Sequence, residues 1–209
     1  MANFVTHIVL SDKVFKSWFS DKNLSEFILG TSFPDIRYFG VVERDKTHTR
    51  EISIEEVRDE TSSFQAGLKF HSLVDIVREK FVVENKLYSL LPESKYITQA
   101  LKVYEDIVLY EKVSEWADYA QFFENIPKEE LGYEIPASKL RQWHGLVRAY
   151  ISHPPTDETI SELIINLDFS SAVVDEIISN VSKIAHVPQV RTKTIEFYNN
   201  IETLTRATS

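Results

Sequence analysis

Cysteine is missing from all 209 residues, which excludes disulfides, thiolate nucleophiles and Cys-ligated zinc. Glycine is scarce too, with 5 in the chain. Sheets use glycine at hairpins and bulges, so its scarcity favours helices joined by short polar loops. No stretch reaches the ~18 consecutive apolar residues that a transmembrane helix needs. The opening segment Met1-Ala-Asn-Phe-Val-Thr-His7 lacks both a basic start and a small-residue cleavage site behind an apolar run. No secretory signal is therefore expected, and the expected location is cytoplasmic. Positive charge is in deficit: 23 Lys and Arg stand against 32 Asp and Glu, a net charge of −9. That balance argues against extended nucleic acid as a partner and leaves room for a small phosphate pocket. Gly-x-Ser-x-Gly, P-loop and Gly-x-Gly-x-x-Gly motifs are all absent, which removes the commonest serine-nucleophile and nucleotide-cradling sites.

What remains is an ordinary globular composition, 43% hydrophobic and 26% charged, long enough to bury a core. Apolar residues recur at helical spacing over 3–19, with Asn3 or Thr6 as N-cap. A short helix over 24–29 is expected to stop at Gly30, followed by an irregular loop over 31–45. Ser53 and Glu56 form a capping box for a turn of helix through Arg58. A long, widely apolar helix runs from about 61 to 84, and another, aromatic-rich, from about 93 to 124 behind Pro92. Pro127 and Gly132 break the chain, and helices over 136–152, 157–167, 171–185 and 189–206 complete it. The expected fold is all-α, a single domain over 1–209 of roughly eight helices. The aromatic run from Trp116 to Phe123 reads as core.

Chemistry concentrates in the first third. His71, Asp75 and Glu79 are spaced i, i+4, i+8, so the 61–84 helix places them on one stripe beside Phe70, Leu73 and Val74. Alone, that stripe reads as a solvated face or a His–Asp hydrogen bond across one turn. A divalent cation is the alternative, because it satisfies a neutral imidazole and a carboxylate together. His7 lies near the apolar side of the first helix, Asp35 follows Pro34, and His48 lies 13 residues beyond Asp35. Arg37, Arg44, Lys46 and Arg50 lie close by and could contact phosphate. Glu43, Asp45 and Glu51 are interleaved with them, so the stretch reads as a solvated loop. In the second half, His144 fits core packing as well as a cleft, and His153 and His186 read as helix terminators.

The order His7, Pro34-Asp35, His48, His71-x-x-x-Asp75 resembles the ligand order of the zinc-dependent phospholipase C family, to which the all-helical single-strand nucleases are related. The opening Met1 to His7, the segment Gly30-Thr-Ser-Phe-Pro-Asp35-Ile and the helix Gly67-x-x-x-His71-x-x-x-Asp75 carry the likeness, which covers residues 1–80. The HD phosphohydrolases are set aside, since their adjacent His-Asp pair does not occur.

The resemblance implies one to three Zn²⁺ ions in a site within residues 1–110, with the helices of 136–206 packing on it. Asp35, His48, His71 and Asp75 would hold one ion, and His7 with a bridging Asp75 a second. The secreted members also use the amino group of a processed N-terminus, which has no counterpart set by cleavage here. Glu79 stands where the family places a further His. An oxygen ligand there also suits Mn²⁺, Fe or Mg²⁺. The family's later Glu has Glu105 as its best match, beside Asp106. The implied activity is phosphoester hydrolysis by metal-activated water, with Asp35 or Glu79 as base if not a ligand. The substrate would be a small phosphate ester or a phospholipid. The alternative is a non-catalytic helical binding or structural protein with a degenerate metal site.

Overall fold

A computed structural model describes residues 4–207, in which every regular element is helical. Eleven α-helices follow one another: α1 (Phe4–Trp18), α2 (Leu24–Ser32), α3 (Ile54–Arg58), α4 (Ser63–Glu84), α5 (Ile97–Leu109), α6 (Trp116–Phe122), α7 (Lys128–Leu131), α8 (Ala137–Ile151), α9 (Asp157–Asn166), α10 (Ser171–Ala185) and α11 (Pro188–Arg206). The three beyond the expected eight are the capped turn α3, α6 split from the 93–124 segment, and α7 between Pro127 and Gly132. None of these helices is long and apolar enough to cross a membrane.

The first turns of α1 are buried on every side, from Phe4 to Ser11, so this helix lies inside the molecule and not on its surface. Its upper residues Phe4, Val5, Ile8 and Val9 join the larger core with α5, α8, α9 and α10. Leu10, Val14 and Trp18 join a second core with Phe70, Leu73, Val77 and Phe81 of α4 and Phe197 and Ile201 of α11. Asn3 and Met1 lie outside the described residues. Thr6 is not the N-cap of α1 but sits inside it, and its backbone N–H and hydroxyl donate to Asp106 Oδ1 of α5 at 2.8 and 2.7 Å. A carboxyl group from a distant helix therefore satisfies one of the free amides at the start of α1.

Gly30 does not end α2, as expected, but lies within it. A Cβ on Gly30 would stand 2.0 Å from the Phe64 carbonyl oxygen, and one on Gly67 2.0 Å from that of Phe27. The two glycines let α2 and α4 pack backbone to backbone. Beyond α2 the chain is not irregular either. A 3₁₀ helix spans Phe33–Phe39, with Pro34 in its first turn and Gly40 closing it at φ 67°.

The expected helix over 93–124 is interrupted. The 3₁₀ turn Tyr110–Lys112 and extended Val113 redirect the chain. Trp116 then stacks on Tyr110 at 4.6 Å and donates its indole N–H to the Tyr110 carbonyl at 2.9 Å. Bending there lets α6 bury Trp116 and Tyr119, with Phe123 just beyond it, against α2 and α8. At the far end α10 packs on α5 and α9, and α11 on α5, α4 and α1.

Candidate metal centre

Four separate segments bring polar side chains to one place beneath the α2–α4 contact. His7 comes from α1, Asp35 from the Phe33–Phe39 turn, His48 from the connection before α3, and His71 and Asp75 from α4. All but Asp75 are buried, and the Asp75 side chain keeps 21% exposure. Their ligand atoms form two groups within 4.8 Å, His7/His71/Asp75 and Asp35/His48/His71, which share His71.

His71 is held in one tautomer. Its Nδ1–H donates to the Thr31 carbonyl at 2.8 Å, a bond made available by the close approach of α2 to α4. A carbonyl oxygen can only accept, so Nε2 of the neutral ring carries a lone pair. That lone pair lies 3.6 Å from Asp75 Oδ2, and Nε2 has no hydrogen-bond partner in the protein. Two acceptors facing each other in a buried site repel unless a cation or proton stands between them. A metal-bound histidine characteristically donates its other N–H to a backbone carbonyl, as His71 does.

His48 repeats the pattern. Its Nδ1 is 3.0 Å from the Thr47 hydroxyl, which lies 3.4 Å from the Arg44 carbonyl, while His48 Nε2 is buried and unpartnered. Burial pushes both His48 and His71 down to about 4, so the rings are neutral near pH 7 and able to ligate. His7 stacks on His71 with centroids 3.9 Å apart, and neither of its nitrogens has a hydrogen-bond partner. Its Nε2 comes no nearer than 3.5 Å to Asp75 Oδ1. Burial opposes ionisation of Asp35 and Asp75, but the neighbouring imidazoles and Lys102 outweigh it and hold both carboxyls below their usual range. Ser72, next to His71, accepts from the Thr49 amide at 3.0 Å and pins the His48 segment to α4.

The donor set fits a divalent ion. Three imidazoles and two carboxylates are the ligands zinc takes, and four ring nitrogens, His7 Nδ1 and Nε2, His48 Nε2 and His71 Nε2, are buried without partners.

Two of the expected ligands lie elsewhere. Glu105 is engaged by Arg78, which donates to it through Nε at 2.6 Å and through a terminal nitrogen at 3.0 Å in a buried bidentate pair. Glu79 is half exposed and accepts from the Tyr88 hydroxyl at 3.0 Å, one turn beyond Asp75 and outside both groups. It lines a cleft of about 460 Å³ with Asp75, Arg44, Arg78, Lys80, Thr98 and Lys102. Arg44 lines this open cleft while remaining exposed, as the solvated-loop reading has it. Asp35 belongs to a ligand group and contacts Arg37 at 3.8 Å. His144 is committed to a buried pair with Glu130 at 2.8 Å and donates from Nδ1 to the Phe123 carbonyl at 3.2 Å.

Sequence reasoning missed Thr31, Thr47 and Lys102. Thr31 acts through its backbone, which leaves no side-chain signal, and Lys102 reaches the site only because α5 crosses α1. In comparisons with known proteins, no family model matches the chain, and no curated protein or solved structure matches it at a significant level.

Proposed function

We propose that this protein is a metal-dependent phosphoester hydrolase whose metal ligands are His7, Asp35, His48, His71 and Asp75. The observation that carries the proposal is the pair of ligand groups joined at His71, whose unpartnered Nε2 faces a carboxylate while Nδ1–H is anchored on Thr31. The resemblance of these five positions to the zinc-dependent phospholipase C ligand order supports the same reading, and a phospholipase C-like arrangement of the helices is proposed with it. Zinc suits the donor set, with one to three ions, and manganese or iron would be accepted by the same nitrogens and oxygens.

A divalent ion held there supplies Lewis acidity, lowering the pKa of water and neutralising a phosphoryl oxygen. The protein's own part is to bury and orient the donors. Thr31 and Thr47 fix the two imidazoles, and the buried faces of α1 and α4 exclude solvent from all sides but that of Asp75. Substrate would enter there, through the cleft. Glu79 on its wall is the carboxylate outside the ligand groups and is the candidate to accept a proton.

The second reading is a non-catalytic metal-binding protein. The position of Glu79, tied to Tyr88 and outside both ligand groups, favours it. Elemental analysis of the purified protein beside a His71→Ala/Asp75→Ala variant tests both. One or more equivalents of zinc, manganese or iron, lost in the variant, supports the site, and turnover of a phosphoester panel then separates enzyme from binder. Absence of bound metal, with no thermal shift on adding divalent ions, would sink both.

A further inference from the structure

The cleft beside Asp75 is cationic in a chain whose net charge is −9. Arg44, Arg78, Lys80 and Lys102 line it against two carboxylates, Asp75 and Glu79. Most of these charges are already matched. Arg78 faces two carboxylates, Glu105 in its bidentate pair and Glu79 at 3.6 Å, and Lys80 on the same wall completes the balance of two cations against two anions. Within the candidate centre, the two carboxylates Asp35 and Asp75 balance one divalent ion. Arg44 and Lys102 are left over. Neither side chain has an ion-pair or hydrogen-bond partner among the described residues. Lys102 is close enough to act on both Asp35 and Asp75, and Arg44 to act on His48. The surplus at the mouth of the site is therefore two positive charges, with the Thr98 side chain in the first turn of α5 on the same wall.

We infer that the cleft is a subsite for a terminal phosphate carrying two negative charges, held by Arg44 and Lys102, so that the substrate is a phosphomonoester and not a zwitterionic phosphodiester. Two unmatched cations complement a dianion in charge. A quaternary ammonium headgroup brought to the same wall meets like charge. The surplus rests on the divalent ion of the reading proposed above, which neutralises Asp35 and Asp75, and so does turnover.

The test therefore has two arms, both on the full chain and on an Arg44→Ala/Lys102→Ala variant. These side chains make no hydrogen bond or ion pair among the described residues, so the variant should keep the wild-type helical signal. In the first arm, zinc-loaded protein is titrated calorimetrically with inorganic phosphate at pH 8, where the dianion dominates. Wild type should bind, the variant at least about tenfold more weakly, and added salt should weaken wild-type binding. In the second arm, zinc-loaded protein is assayed with 4-nitrophenyl phosphate and 4-nitrophenyl phosphorylcholine. The kcat/KM ratio should favour the monoester by about tenfold or more and collapse towards unity in the variant, mainly through KM. Failure of zinc-loaded wild type to bind phosphate, equal binding by both proteins, or preference for the choline ester would each overturn the subsite while leaving the metal centre standing. Binding of phosphate that depends on Arg44 and Lys102, with zinc bound but without turnover of either ester, would uphold the subsite and reject the hydrolase.

Discussion

Buried charge in this molecule divides into two kinds, and single residues tell them apart. Glu105 faces Arg78 with both carboxylate oxygens, so its role is to neutralise a guanidinium that is itself 2% exposed. Glu105→Gln should cost about 3–5 kcal/mol by leaving that charge uncompensated. Denaturant unfolding measures the loss, and metal content should not change. A drop in metal stoichiometry without loss of stability would return Glu105 to the ligand set. Asp106 is buried without a cation, and burial raises its carboxyl to about 7 despite hydrogen bonds from Thr6 and Tyr150. Its folded-state pKa lies above the ordinary 3.8 of the unfolded chain, so the folded state holds the extra proton between them. The stability it contributes is present below about 3.8 and is lost as pH rises towards about 7. Asp106→Asn keeps an acceptor for Thr6 and cannot ionise. The variant should therefore gain on wild type as pH rises through that window, read from melting temperatures at pH 4, 5.5 and 7.5.

At the scale of elements, the site depends on how closely α2 approaches α4. Gly30 and Gly67 permit backbone contact, and that contact delivers the Thr31 carbonyl to His71. Alanine at either glycine places a methyl group 2.0 Å from a carbonyl oxygen, which no side-chain adjustment relieves. Gly30→Ala or Gly67→Ala should cost about 3 kcal/mol or more by forcing the helices apart. Metal affinity should fall with stability, since His71 loses its anchor. Thermal melts with and without zinc separate the two effects. A variant that melts near the wild-type temperature and binds metal normally would show that the helices do not need this contact.

Across the whole molecule, the candidate ligands tie together α1, the connection from 33 to 48 and α4. Metal binding at such a junction selects the folded state, by about 2.7 kcal/mol when free ion is 100 times Kd. For a chain of this size that corresponds to a rise in melting temperature of roughly 5–10 °C. Chelation should reverse it, and His71→Ala/Asp75→Ala should abolish it. An equal shift in that variant would place the metal elsewhere.

Local pattern was enough to read the all-helical class and the capping box at Ser53 and Glu56, because side-chain type and spacing are properties of the chain itself, whereas His7, Asp35, His48, His71 and Asp75 were singled out by a family resemblance in their order along the chain. The Ser53 and Glu56 bonds span only two intervening residues, so tertiary context could not alter them. Features that rest on packing between distant segments were not legible. Gly30 carries the same signal whether it ends a helix or lets another helix approach, and only the neighbour decides. Glu105 is a plausible ligand by order along the chain, yet Arg78, 27 residues away, captures it once the fold brings the two side chains within reach. Arg44 sits in a run of mixed charge that reads as solvated, and Lys102 carries no motif at all. Their meeting beside Asp75 is a consequence of the fold, since electrostatic environment is set by which charges lie near in space and not by which are near in sequence.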